Sequence, residues 1–79
     1  MTRFPTFEGK EIVAVLEGHG FIIDRQRGSH IFMKHEDGRA TVVPVHAGET
    51  IGPGLFSKIL RDVELTREDF HKDRKGKRK

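Results

Sequence analysis

The segment Arg25-Gln26-Arg27-Gly28-Ser29-His30 puts one imidazole beside two guanidinium groups where an apolar stretch, Ile31-Phe32-Met33, begins. An imidazole with its ordinary pKa of about 6.5 can take a proton from a ribose 2′-hydroxyl near neutral pH. Neighbouring Arg and Lys side chains can hold a phosphate and offset the negative charge that grows in its transition state. Gly28-Ser29 permits a tight turn that leaves the His30 ring at a strand start. An ordinary polar residue opening a strand has the same local sequence, so type and spacing alone leave both readings open. A second imidazole, His46, closes the stretch Val43-Pro44-Val45-His46, and sheet order can bring it towards His30 as a general acid or phosphate contact. Arg25, Arg27, Lys34 and Arg39 are the basic residues of the central segment. They suit phosphate contact, and equally a solvated sheet face. His19, His35 and His71 fall at a helix end, a hairpin and the tail, and read as bystanders.

A metal centre is not expected from this set. There is no Cys, no His-x-x-His and no His-x-x-x-His pair. His30 and His35 are an odd number of residues apart, which puts them on opposite faces of a strand. The absence of Cys also removes disulfides and fits a reducing cytoplasm. With 79 residues the chain has room for one small domain and none for a dinucleotide-binding unit. No apolar run approaches the ~20 residues of a membrane span, and Met1-Thr2-Arg3-Phe4-Pro5 opens no signal-peptide core. The net charge of +3 divides unevenly: residues 1–70 hold nine Lys/Arg against eleven Asp/Glu, and residues 71–79 hold six against one. The body is near neutral, and the basicity belongs to a terminal tail with no apolar residue, expected to be disordered.

The elements that must position these groups are short. Ile12, Val13 and Leu16 form one stripe of a helix over 10–19, with Val15 at its margin. Gly20 ends it, and Phe21 falls where a Schellman cap would fold it back. Glu8 and Gly9 are weak caps, and Thr6 is an alternative start. Strands are expected at 21–26, 30–35 and 40–45, joined by Arg27-Gly28-Ser29 and by the Asp37-Gly38 turn. Pro44 donates no ladder hydrogen bond, so it belongs at an edge or a strand end. After the loop 46–51, Gly52 caps and Pro53 opens a second helix with Phe56, Ile59, Leu60 and Val63 on one face. Thr66 and Asp69 have capping-box spacing, with Leu65 and Phe70 as its staple, which predicts one or two further helical turns. The fold class is therefore α+β: α-β-β-β-α, an antiparallel meander with both helices on one face and the other face open. This is the layout of double-stranded-RNA-binding domains.

Gly28-Ser29-His30 before an apolar strand, Asp37-Gly38-Arg39, Val43-Pro44-Val45-His46 and Ile59-Leu60-Arg61-Asp62 together resemble the HicA family of bacterial toxins. Gly9-Lys10-Glu11 and Gly20-Phe21 extend the resemblance to roughly residues 8–70. The chain departs from the family's habit in having Glu8 where Ser is frequent and Met33 where an aromatic is common. The resemblance implies a cytoplasmic toxin of a type II toxin–antitoxin system, an endoribonuclease of double-stranded-RNA-binding-like fold that cleaves mRNA without metal or cofactor. It implies a HicB-type antitoxin partner that covers the active site, and a catalytic histidine matching His30. Arg25, Arg27, Ser29, Lys34, Arg39 and His46 are then the expected substrate contacts, within a single domain over 1–70. A non-catalytic RNA-binding module, and an interaction domain that merely holds a partner, remain open beside the enzyme.

Overall fold

Gly9 opens the first helix under a steric constraint rather than a conformational one: a β-carbon there would run into the carbonyl oxygen of Pro44 and stand 2.9 Å from the Val45 α-carbon. This close approach seats the helix start on the end of the third strand. In the computed structural model, which describes residues 6–76 and the side chains of 6–71, the order is α1 (Gly9–Gly18), β1 (Ile22–Arg27), β2 (His30–Lys34), β3 (Ala40–Pro44), α2 (Pro53–Val63) and α3 (Arg67–Gly76). Glu8 is the N-cap of α1, and its backbone N–H donates to the Glu11 carboxylate at 2.8 Å. Gly20 N–H to Glu17 and Phe21 N–H to Leu16 close the other end in the expected Schellman pattern. Val15, placed at the margin by periodicity, is buried, and Val13 is only partly covered.

The three strands form an antiparallel sheet in the order β1-β2-β3. Alternation sends Ile31, Met33, Thr41 and Val43 towards the helices. His30, Phe32, Lys34, Ala40, Val42 and Pro44 occupy the other face, which no helix covers. Pro44 is the last residue of the edge strand β3, where its missing N–H is tolerated. β1 is exposed along its whole length, Ile22 and Ile23 included, and its principal packing is on β2. A register shift between Ile23 and Arg25 marks a bulge at Asp24.

The core lies between the sheet and the helices. Phe7, Phe56 and Phe70 meet there with ring centroids 5.3 to 5.8 Å apart, joined by Ile12, Leu16, Phe21, Ile59, Leu60 and Val63. Gly52 caps α2 and Pro53 stands in its first turn, as the sequence implies. Thr66 and Asp69 form the reciprocal capping box, Thr66 N–H to the Asp69 carboxylate at 2.9 Å and Asp69 N–H to the Thr66 hydroxyl at 3.1 Å.

One expectation needs correction. The final helix neither stops near Phe70 nor yields to disorder at His71; it continues to Gly76. Once the capping box and buried Phe70 have nucleated a turn, Lys and Arg are good helix formers and propagate it. Residues 77–79 of the basic tail lie outside the described residues. The observed helix, three antiparallel strands and following helices make an α+β fold of the double-stranded-RNA-binding layout.

Candidate active site

The turn between β1 and β2 builds the site. Gly28 adopts φ +58°, a left-handed conformation, and so lets the chain reverse within two residues. The reversal sets Arg27 directly opposite His30, and the β2–β3 ladder sets His30 opposite Pro44. Cross-strand partners share a face, so Arg27 and His30 project from the open side of the sheet together. Val45 N–H then donates to the Ser29 carbonyl at 2.7 Å, which draws the chain after β3 beside the turn. His46 Nε2 lies 3.3 Å from the Ser29 hydroxyl. Gly28-Ser29-His30 and Val45-His46, 17 residues apart at the Ser29–His46 contact, thus become neighbours at one end of the sheet.

The loop that carries His46 is held from behind. Ile51 N–H donates to the Phe7 carbonyl at 2.7 Å, and Glu8 and Thr50 form an antiparallel bridge. Together with the Gly9 contact on Pro44 and Val45, these bonds fix the exit of β3 relative to the start of α1.

The other expected contacts separate into two groups. Arg25 stands opposite Phe32, and its guanidinium lies 5.1 Å from the ring centroid on the open face. Lys34 is four residues beyond His30 on the same face, paired with Asp24 at 3.3 Å. Both remain exposed and line up with the turn. Arg39 does not join them. It sits at the opposite, hairpin end of the sheet, where its Nε donates to the Asp37 carboxylate at 2.9 Å and its Nη1 donates to the Val63 carbonyl. Its guanidinium also covers Phe21 at 5.0 Å. These partners make Arg39 a clamp between hairpin and α2. His35 is structural too: its Nδ1 accepts the Asp37 N–H at 3.1 Å and its ring packs edge-on against Phe21.

The displaced carboxyl pKa values belong to that scaffold. Asp37 is held below the ordinary carboxylate value, first by the Arg39 backbone N–H. Asp62 is lowered chiefly by the Lys58 ammonium, with the buried Thr41 hydroxyl also donating to it. Among the described residues no three His, Asp or Glu side chains converge into a group suited to a cation. None of their helices is long and apolar enough to cross a membrane.

Phe32 was not among the expected contacts. The signal was present in strand alternation, because residue 32 shares the face of His30 while residue 33 does not; Met33 is buried in the core.

What the arrangement offers is two imidazoles and one guanidinium around a solvent-open turn, with a second guanidinium and an ammonium further along the same face. Such a set can accept and return protons at a phosphodiester while balancing its charge. No curated protein matches the chain. Residues 9–65, which contain the turn, the sheet and the α2 helix, match the family model described as the HicA toxin of bacterial toxin–antitoxin systems, and the chain belongs to that family.

Proposed function

We propose that this toxin is an endoribonuclease that cleaves single-stranded mRNA in the cytoplasm by a metal-independent transesterification. The observation that carries the reading is the convergence of Arg27, Ser29, His30 and His46 at one open sheet end. His30 acts as general base and takes the proton of the ribose 2′-hydroxyl. The 2′-oxygen then attacks the adjacent phosphorus, and the bond from phosphorus to the 5′-oxygen breaks. Protonated His46 gives its proton to the leaving 5′-oxygen, with Ser29 orienting the ring. Arg27, supported by Arg25, holds the non-bridging oxygens as charge develops. The products are a 2′,3′-cyclic phosphate and a 5′-hydroxyl, and solvent exchange resets the two imidazoles. A HicB-type antitoxin inhibits by covering the open face and the turn.

A cleavage assay on mixed-sequence RNA in excess EDTA, with the parent chain beside His30→Ala, tests this. Loss of a positioned general base lowers such rates by about 10²–10⁴-fold. The expected result is cutting by the parent, ends bearing cyclic phosphate, and at least a hundredfold loss in the variant. A 2′-deoxy substitution at the cut nucleotide abolishes cutting. Ends carrying a 5′-phosphate, or equal cutting by both proteins, overturn the mechanism. Binding by both without cutting favours the RNA-binding module instead.

A further inference from the structure

Among the described residues the open sheet face carries one phenylalanine, and nothing in the proton-transfer site uses it. Phe32 is half-buried, in register with Val42 on one side and Arg25 on the other. The Arg25 guanidinium reaches across from β1 to the ring, 5.1 Å from its centroid. The ring borders a recess of about 340 Å³, whose lining includes Asp24, Lys34, Val42, Lys58 and Asp62. His30 and Phe32 are two residues apart on one strand, so their side chains rise from the same face about 7 Å apart. That separation is close to one sugar–phosphate repeat of an extended strand.

A solvated face does not require this composition. An apolar ring under one guanidinium, beside a recess edged by the Lys34–Asp24 and Lys58–Asp62 ion pairs and one repeat from a phosphate-handling turn, matches the way single-stranded RNA is held. Unstacked bases lie on aromatic and guanidinium planes, and cations follow the backbone. We infer that Phe32, backed by Arg25, is a nucleobase-stacking platform that seats the nucleotide next to the scissile phosphate, with Lys34 on the following phosphate. The base enters the recess and stacks on the ring, so Phe32 lies between it and the guanidinium. This deepens the endoribonuclease reading and rests on it for the position of the scissile phosphate. The stacking itself requires no cleavage.

The chain contains no Trp, so Phe32→Trp creates a single fluorophore at the site. Ile23→Trp provides a control on the opposite face, since Ile23 pairs with Met33, and it is more exposed than Phe32, so a quencher in solution reaches it at least as readily. Both are made in the His30→Ala background and titrated in EDTA with a short single-stranded oligoribonucleotide and with an abasic ribose-phosphate oligomer of equal length. The expected result is quenching of Phe32→Trp by the base-bearing oligomer, at least fivefold weaker response to the abasic one, and little response of Ile23→Trp. Phe32→Ala weakens oligonucleotide binding by about tenfold, within the range measured for loss of one stacked base. Phe32→Leu, which keeps apolar bulk without a π face, weakens it similarly and guards against misfolding. Equal quenching by the abasic oligomer, no quenching, or unchanged affinity of both Phe32 variants overturns the platform. So does a loss of antitoxin binding with RNA affinity intact, which assigns the ring to a protein partner. Quenching without any cleavage by the parent leaves the platform standing and removes the nuclease reading. Cleavage dependent on His30 without quenching removes the platform alone.

Discussion

Ser29 is the residue through which two distant stretches of chain meet. Its carbonyl accepts from Val45 and its hydroxyl contacts His46. Ser29→Ala keeps the first bond and loses the second, leaving His46 free to turn away. Since the pair is exposed, stability stays within about 0.5 kcal/mol, while cleavage falls roughly tenfold, the rate equivalent of one orienting hydrogen bond. Arg39→Ala shows the opposite pattern. It loses its bonds to Asp37 and Val63 and its cover over Phe21, so urea unfolding moves by about 2 kcal/mol, while turnover per folded molecule is unchanged. A rate loss in Arg39→Ala at full folding would return that residue to the substrate contacts. The position of Ser29 in the turn and of His30 at the strand start was legible in the sequence because turn chemistry is local, whereas the approach of His46 to Ser29, 17 residues apart, follows only from the strand order. The clamp made by Arg39 was not legible because its bond to Val63 spans 24 residues, and residue type does not distinguish a clamp from a phosphate contact.

Among the elements, α1 and β3 meet at the point of least tolerance. Gly9→Ala forces a methyl group against Pro44 and Val45, which are backbone and cannot swing aside. The expected cost is about 2 kcal/mol, a fall in Tm of roughly 10 °C for a domain this size. Because the same contact fixes the exit of β3, differential scanning calorimetry and the EDTA cleavage assay should fall together in this variant. The helices and strands themselves were readable: the α2 stripe, the Schellman end of α1 and the Thr66–Asp69 box all appear as the residue pattern implies. Three features were not. Phe7 precedes any periodic segment, yet it joins Phe56 and Phe70 in the core. The 50–51 segment pairs with residues 7–8, a tertiary contact with no local signature. The length of α3 depends on propagation beyond Phe70, its last apolar residue in the sequence, which hydrophobic periodicity cannot register.

For the whole molecule, the charges that matter to stability are few. Asp62 is lowered below the ordinary carboxylate value by Lys58 and Thr41. A depressed carboxyl pKa contributes stability above the unfolded value of about 3.9, lost as pH falls through the folded value. Asp62→Asn is therefore less stable than the parent at pH 7, by about 1 kcal/mol for this partly exposed pair. Urea titrations at pH 7 and pH 3 should show that difference closing in acid; a constant difference would exclude the linkage. The exposed strand β1 has a consequence of another kind. It carries Arg25 and Arg27, yet it is held mainly by its ladder to β2. Proteins open in pieces, and the least buried piece opens at the lowest free energy. Fraying of β1 takes both guanidiniums off the sheet while the Phe7–Phe56–Phe70 centre stays closed, so this surface can be disarmed well below the melting transition.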